Sequence, residues 1–257
     1  MIKEPFEIQN QDNLTIRGYI LKEESDTQKP AVIISHGFKS TMKRTYPDGE
    51  FVAKCGYVAV IFDFCGGSHE TTSDGSFSTY MTPFTEKNDL LCVLEYVRNR
   101  KDVDSSRIVL AGNSMGGFVS VLASTEVEEK IKGIALQYPA LCIPDHARSG
   151  HMQNYTFDVN NIPDEIGELK INGNYPRSIM NMDIYEEMKR YHGPVMITHG
   201  TKDAIVPVEY ALKAKEVYEK NGNDLMFHLI EGSDHGYFGS YFEEGSKVLK
   251  EFLEHIF

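Results

Sequence analysis

The chain opens with two short stretches in which polar and apolar residues alternate, Phe6–Gln9 and Leu14–Leu21, on either side of Asn10-Gln11-Asp12-Asn13. Asn and Asp tolerate the backbone of tight turns, so this spacing predicts an antiparallel hairpin. After it the pattern changes. Apolar runs rich in β-branched residues, Ala31–Ile34, Tyr57–Phe62, Arg107–Ala111, Gly133–Leu136, Val195–Thr198 and Leu225–Ile230, read as buried strands. Between them, Pro47–Cys55, Glu86–Arg100, Met115–Ser124, Val208–Asn221 and Tyr241–Ile256 place apolar residues three or four apart, the spacing of a helix face. Strand and helix in alternation predict an α/β fold with a mostly parallel, doubly wound sheet covered on both sides.

Across residues 140–182 the alternation stops. Turn formers are frequent there, and so are large apolar side chains: Met152, Tyr155, Phe157, Tyr175, Met180 and Met182. A long segment without regular pattern is either disordered or a functional lid, and this apolar content argues for the lid. We therefore expect one domain over residues 1–257, with a cap inserted at about 140–182. No internal repeat is evident.

Composition narrows the function classes. With 41% hydrophobic and 25% charged residues the chain is an ordinary globular one, and its net charge of −12 opposes phosphate backbones and anionic membrane surfaces. Neither nucleic acid nor membrane is expected as a partner. The start, Met1-Ile2-Lys3-Glu4-Pro5-Phe6, lacks the apolar run of a signal peptide, so the expected location is the cytoplasm. Four scattered cysteines, Cys55, Cys65, Cys92 and Cys142, show neither zinc-site nor dithiol spacing and read as packing residues.

The chemistry gathers at Gly112-Asn113-Ser114-Met115-Gly116-Gly117, between a predicted strand and a predicted helix. A serine thrust out on a sharp strand-to-helix turn needs glycine two residues to either side, because the backbone there leaves no room for side chains. Such a serine needs a base, and the base needs an acid, in the chain order serine, acid, histidine. Asp203, after the strand Val195–Thr198, and His235, after the strand Leu225–Ile230, have that order and sit where ligand sites of open α/β sheets lie. His199 reads as a structural contact and Asp234 as pointing away. For an oxyanion, the amide of Met115 and one from the loop Ser35-His36-Gly37-Phe38, assigned to Phe38, are the candidate donors.

These motifs, with Phe62-Asp63-Phe64-Cys65-Gly66-Gly67-Ser68 and Thr85-Glu86-Lys87-Asn88-Asp89-Leu90, resemble the bacterial cinnamoyl and feruloyl esterases of the α/β-hydrolase superfamily over nearly the whole chain. The resemblance implies an α/β-hydrolase fold, a Ser-His-Asp esterase working without a cofactor, and a small-molecule ester as substrate. It also implies that polar groups of the cap, here Asp145, Gln153 and Tyr175, meet the phenolic end of a hydroxycinnamoyl group. Asn113 stands where the family more often has histidine. Rival readings are a broad carboxylesterase or monoacylglycerol lipase, a serine peptidase on the same fold, for which no propeller domain or acidic subsite motif is seen, and a silent binding module. A homodimer is common for this architecture, and no apolar stripe in the sequence decides it.

Overall fold

A computed structural model describes residues 1–257. The expected hairpin is β1 (Ile2–Gln9) and β2 (Thr15–Lys22), paired antiparallel with Gln9 opposite Thr15. Asn10 closes its turn: Oδ1 accepts the amides of Asp12 and Leu14, each at 3.0 Å. There follow β3 (Lys29–Ser35), α1 (Met42–Lys54), β4 (Val58–Asp63), α2 (Pro83–Arg98), β5 (Val103–Asn113), α3 (Met115–Ser124) and β6 (Gly133–Gln137). The next stretch holds short elements: α4 (Ile143–Arg148), the hairpins β7 (His151–Met152) with β8 (Tyr155–Thr156) and β9 (Glu165–Ile166) with β10 (Ile171–Asn172), then α5 (Asn174–Ile179) and α6 (Ile184–Met188). The chain closes with β11 (Val195–Gly200), α7 (Val208–Asn221), β12 (Leu225–Ile230) and α8 (Ser240–Ile256).

Eight strands form one sheet in the order β1-β2-β4-β3-β5-β6-β11-β12. Only the β1/β2 and β2/β4 pairs are antiparallel; β4, β3, β5, β6, β11 and β12 run parallel. This is the α/β-hydrolase architecture expected from the sequence. The inner strands β4, β6 and β11 are buried at every residue, which is why they read as unbroken apolar runs. Side-chain alternation sorts the residues of the sheet, here those of β3 and β5, into two cores. Ala31, Ile33, Ile108 and Leu110 join α2, α3 and α7 on one face, whereas Val32, Ile34, Val109 and Ala111 join α1 and α8 on the other.

Two helices begin earlier than the apolar spacing predicts. The helix expected from Pro47 starts at Met42 and runs through the proline, anchored where Asp63 Oδ1 accepts the Met42 amide at 2.6 Å. For α2 the start lies at Pro83, because Thr82 and Thr85 form a reciprocal capping box and proline fits the first helical position. Residues 140–182 are folded as short helices and two-residue strands, each too brief to leave a period in the sequence. No helix is long and apolar enough to cross a membrane.

Candidate active site

The six parallel strands β4, β3, β5, β6, β11 and β12 end on the same side of the sheet, and every predicted residue of the Ser-His-Asp set lies just beyond those ends. Ser114 follows β5 directly, with φ 56° and ψ −118°, a conformation that a non-glycine residue holds only under constraint. The constraint is visible. Ser114 donates its amide to Gln137 O at 3.0 Å and accepts from Gly117 and Ala140. A Cβ on Gly112 would stand 2.2 Å from Gly116 O, and one on Gly116 would stand 2.3 Å from Ser35 O, so backbone fills the space that side chains would need.

Asp203 and His235 reach Ser114 from two neighbouring loops. His235 Nδ1 lies 2.7 Å from Asp203 Oδ2, and His235 Nε2 lies 2.9 Å from Ser114 Oγ. The two loops are laced together: Lys202 donates to Ser233 O, Gly232 to Thr201 Oγ1, and Ala204 to Asp234 Oδ1. Asp234 thus acts as a loop tie, its Oδ1 accepting the amides of Ala204 and His235 at 3.0 and 2.7 Å. Burial works to raise the Asp203 pKa. Hydrogen bonds from His199, His235 and the Val206 amide outweigh it and hold the carboxyl well below the usual carboxylate range.

The loop after β3 carries Phe38 past the serine. A Cβ on Gly37 would sit 3.2 Å from Ser114 Cβ, a tight contact that glycine avoids at this close approach. His36 fixes the loop rather than acting as a base: Nδ1–H donates to Gly37 O at 2.8 Å, and Nε2 accepts the Phe64 amide at 3.2 Å. Burial pushes its pKa down, in keeping with a neutral ring. Met115, the residue after the serine, opens α3, whose positive end faces the site.

Of the three cap residues, two reach the space beside Ser114 and one does not. A cavity of about 330 Å³ is walled mainly by apolar groups, among them Phe38, Met115, Ile143, Met152 and Val206, with Gln153 and Tyr175 also in its lining. Gln153 stands at the tip of the β7/β8 hairpin with φ 55° and is exposed. Tyr175 is fully buried; its ring meets Phe38 edge-on at 5.7 Å, and its hydroxyl donates to Met115 Sδ at 3.3 Å. Asp145 lies outside the lining. Its carboxylate is held by Arg148 and accepts the Tyr210 hydroxyl at 2.9 Å.

Some parts of the site had no signal in the sequence. Tyr138, just beyond β6, packs edge-on against the His235 ring at 4.9 Å and backs the imidazole. His199, read as structural, lies 3.3 Å from Asp203 Oδ2 while bonding to Val206 O at 2.9 Å, so it buttresses the acid. Beneath Ser114, Asn113 and Gln137 donate to Asp48, whose carboxyl burial pushes up to about 6.

Residues 47–257 match the model of the prolyl oligopeptidase family. Among solved structures, Est1E from Butyrivibrio proteoclasticus, in complex with ferulic acid, is similar with a TM-score of 0.87 and 28% identity over 98% of both chains. The Pyrococcus furiosus esterase Pf2001, 21% identical over 99% of this chain and 91% of its own, shares the fold with a TM-score of 0.77. In Bacillus subtilis the candidate esterase YitV is 24% identical over 87% of this chain and 91% of its own length. Human phosphatidylserine lipase ABHD16A is 25% identical over 67% of this chain, and the match takes in 27% of that longer protein.

Proposed function

The chain belongs to the prolyl oligopeptidase family and has the α/β-hydrolase fold, and from that premise we propose that it is a serine esterase with Ser114 as nucleophile, His235 as base and Asp203 as acid. One observation carries the reading: a single imidazole bridges a carboxylate and a serine hydroxyl, at 2.7 and 2.9 Å, on a strained strand-to-helix turn. In this reading the Oγ–C bond to the ester carbonyl forms as the serine proton passes to His235 Nε2. The amides of Phe38 and Met115 receive the charge that develops on the carbonyl oxygen. Collapse breaks the C–O bond, and the departing alcohol takes the proton from His235. Water then repeats the sequence on the acyl-enzyme and releases the acid. The chemistry calls for no metal and no organic cofactor.

For the acid we propose a hydroxycinnamate. Two facts support it: the whole-length similarity to a protein whose structure holds ferulic acid, and a mostly apolar cavity with a few polar groups, the setting that suits a flat aromatic acid. Gln153 and Tyr175 are the groups proposed to meet the ring hydroxyl. The Tyr175 hydroxyl has only a thioether as acceptor, a weak partner that a phenol can replace. Asp145 joins them only if it gives up Arg148 or Tyr210. The family match favours a second reading, cleavage of a peptide amide, yet the cavity lining contains no carboxylate to hold a peptide amine.

The test is a substrate panel: methyl ferulate, p-coumarate, short alkyl and monoglyceride esters, and a peptide amide, each with the wild type and with Ser114→Ala. Hydroxycinnamate esters should give the highest kcat/KM, and the variant should lose about 10⁴-fold or more in turnover and all labelling by a fluorophosphonate. Ester hydrolysis that survives in Ser114→Ala sinks the nucleophile assignment, and faster cleavage of the amide than of any ester moves the reading to a peptidase.

A further inference from the structure

Two depressions meet at Ser114. The cavity under the cap has no Asp, Glu, Lys or Arg in its lining. A second one, of about 250 Å³, runs between the Gly37-Phe38 loop, the first turn of α1 and the loop after β12. His235 lines the second and not the first. Resting on the serine-esterase reading, this difference assigns the two sides. The histidine must hand its proton to the departing oxygen, so the alcohol leaves on the histidine side and the acyl group lies under the cap.

Arg44 is the one formally charged residue lining that second depression. Each of the other seven arginines has a carboxylate within 4.0 Å. Arg44 has none that close: Asp48, one turn further along α1, feels its charge without an ion pair forming, in a chain with 38 acidic and 26 basic residues. It is nevertheless held in place. Its guanidinium stacks 4.2 Å above the Phe238 ring, which is itself 63% exposed. Gly236, the residue after His235, makes room for it: a Cβ there would stand 3.0 Å from Arg44 Nη2. Stacking on an aromatic face occupies the plane of the guanidinium and leaves its N–H fork unspent.

From an unpaired, aromatic-stacked Arg44 facing the proton donor across the alcohol side, we infer a subsite for an alcohol that carries a negative charge, a carboxylate or a phosphate, with Arg44 as its counter-ion. The planar fork matches either anion in a bidentate way, and the apolar cap cavity has nothing comparable for a charged acyl group.

Three esters of ferulic acid test this: those of ethanol, glycolate and 2-hydroxyethyl phosphate. In Arg44→Met the kcat/KM ratio of a charged ester to the ethyl ester should fall about tenfold, and Arg44→Lys should recover part of it. The glycolate and phosphate arms identify the anion, since the ratio that collapses names the preferred group. Molar salt should narrow the wild-type ratio, and Arg107→Met, within β5 and outside the lining of both depressions, should leave it as in the wild type. Equal ratios in Arg44→Met and wild type for both charged esters overturn the subsite alone. Failure of the wild type to cleave any of the three, or any ester of the substrate panel, overturns the esterase reading and the subsite with it.

Discussion

Glu86 places a carboxylate in the interior with neither oxygen hydrogen-bonded, near Tyr175 and three residues before Asp89. Burial, helped by the charge of Asp89, pushes its pKa well above 4.5, so the folded chain keeps a proton that the unfolded chain releases. The contribution to stability is therefore complete below the unfolded value and declines as pH rises through the folded one, by up to about 1.4 kcal/mol per pH unit. Asp48, pushed up to about 6, and Asp89, pushed up to about 7, act in the same direction. Replacing Glu86 by Gln keeps the shape and removes the titration. Melting curves of Glu86→Gln and wild type should differ little at pH 5 and more at pH 8, in favour of the variant; the same difference at both pH values would show that Glu86 does not titrate across that window. In the sequence Glu86 appeared only as part of a family-like motif. Burial without a partner belongs to packing, and no local pattern encodes it.

At the level of elements, the turn at Ser114 was legible because its requirements are local: a strand, two glycines, a helix. The structure supplies the reason in distances. A Cβ on Gly116 would run into the backbone of Ser35, at the end of β3, and of His36 just beyond it, so Gly116→Ala must push two strand ends apart. We expect Gly116→Ala to cost about 3 kcal/mol or more, read as a lower urea midpoint, because the atoms in the way are backbone and cannot swing aside. An unchanged midpoint would contradict the close approach. Other elements were misread at their ends for equally physical reasons. Pro47 suggested a helix start, whereas Asp63, a residue of the next strand, holds the true start at Met42. Asp89, quoted for its motif, proves to be a brace: Oδ1 accepts from Asn10 in the first turn and Oδ2 accepts the Cys65 amide at 2.7 Å. In this chain Asp89 joins the first hairpin to the loop after β4, a role apart from chemistry.

On the scale of the whole molecule, one continuous hydrophobic cluster contains both sheet residues such as Ile33 and Leu110 and cap residues such as Met152, Ile166, Ile171 and Ile179. Elements that share a core unfold together. Scanning calorimetry should give a single transition with a ratio of calorimetric to van't Hoff enthalpy close to one; two resolved transitions would make the cap a separate unit. By itself the sequence determined the order of the main strands and helices, and it singled out the irregular stretch 140–182 and Ser114, Asp203 and His235, which the fold brings within hydrogen-bond distance, because periodicity, glycine spacing and chain order are written locally. Tertiary structure alone decided what surrounds them. It set Tyr138 behind His235, engaged Asp145 with Arg148 and Tyr210 away from the cavity, and left Arg44 stacked on Phe238 with no ion pair. A side chain's partners are chosen by residues distant along the chain, and which of them meet depends on how the finished layers pack.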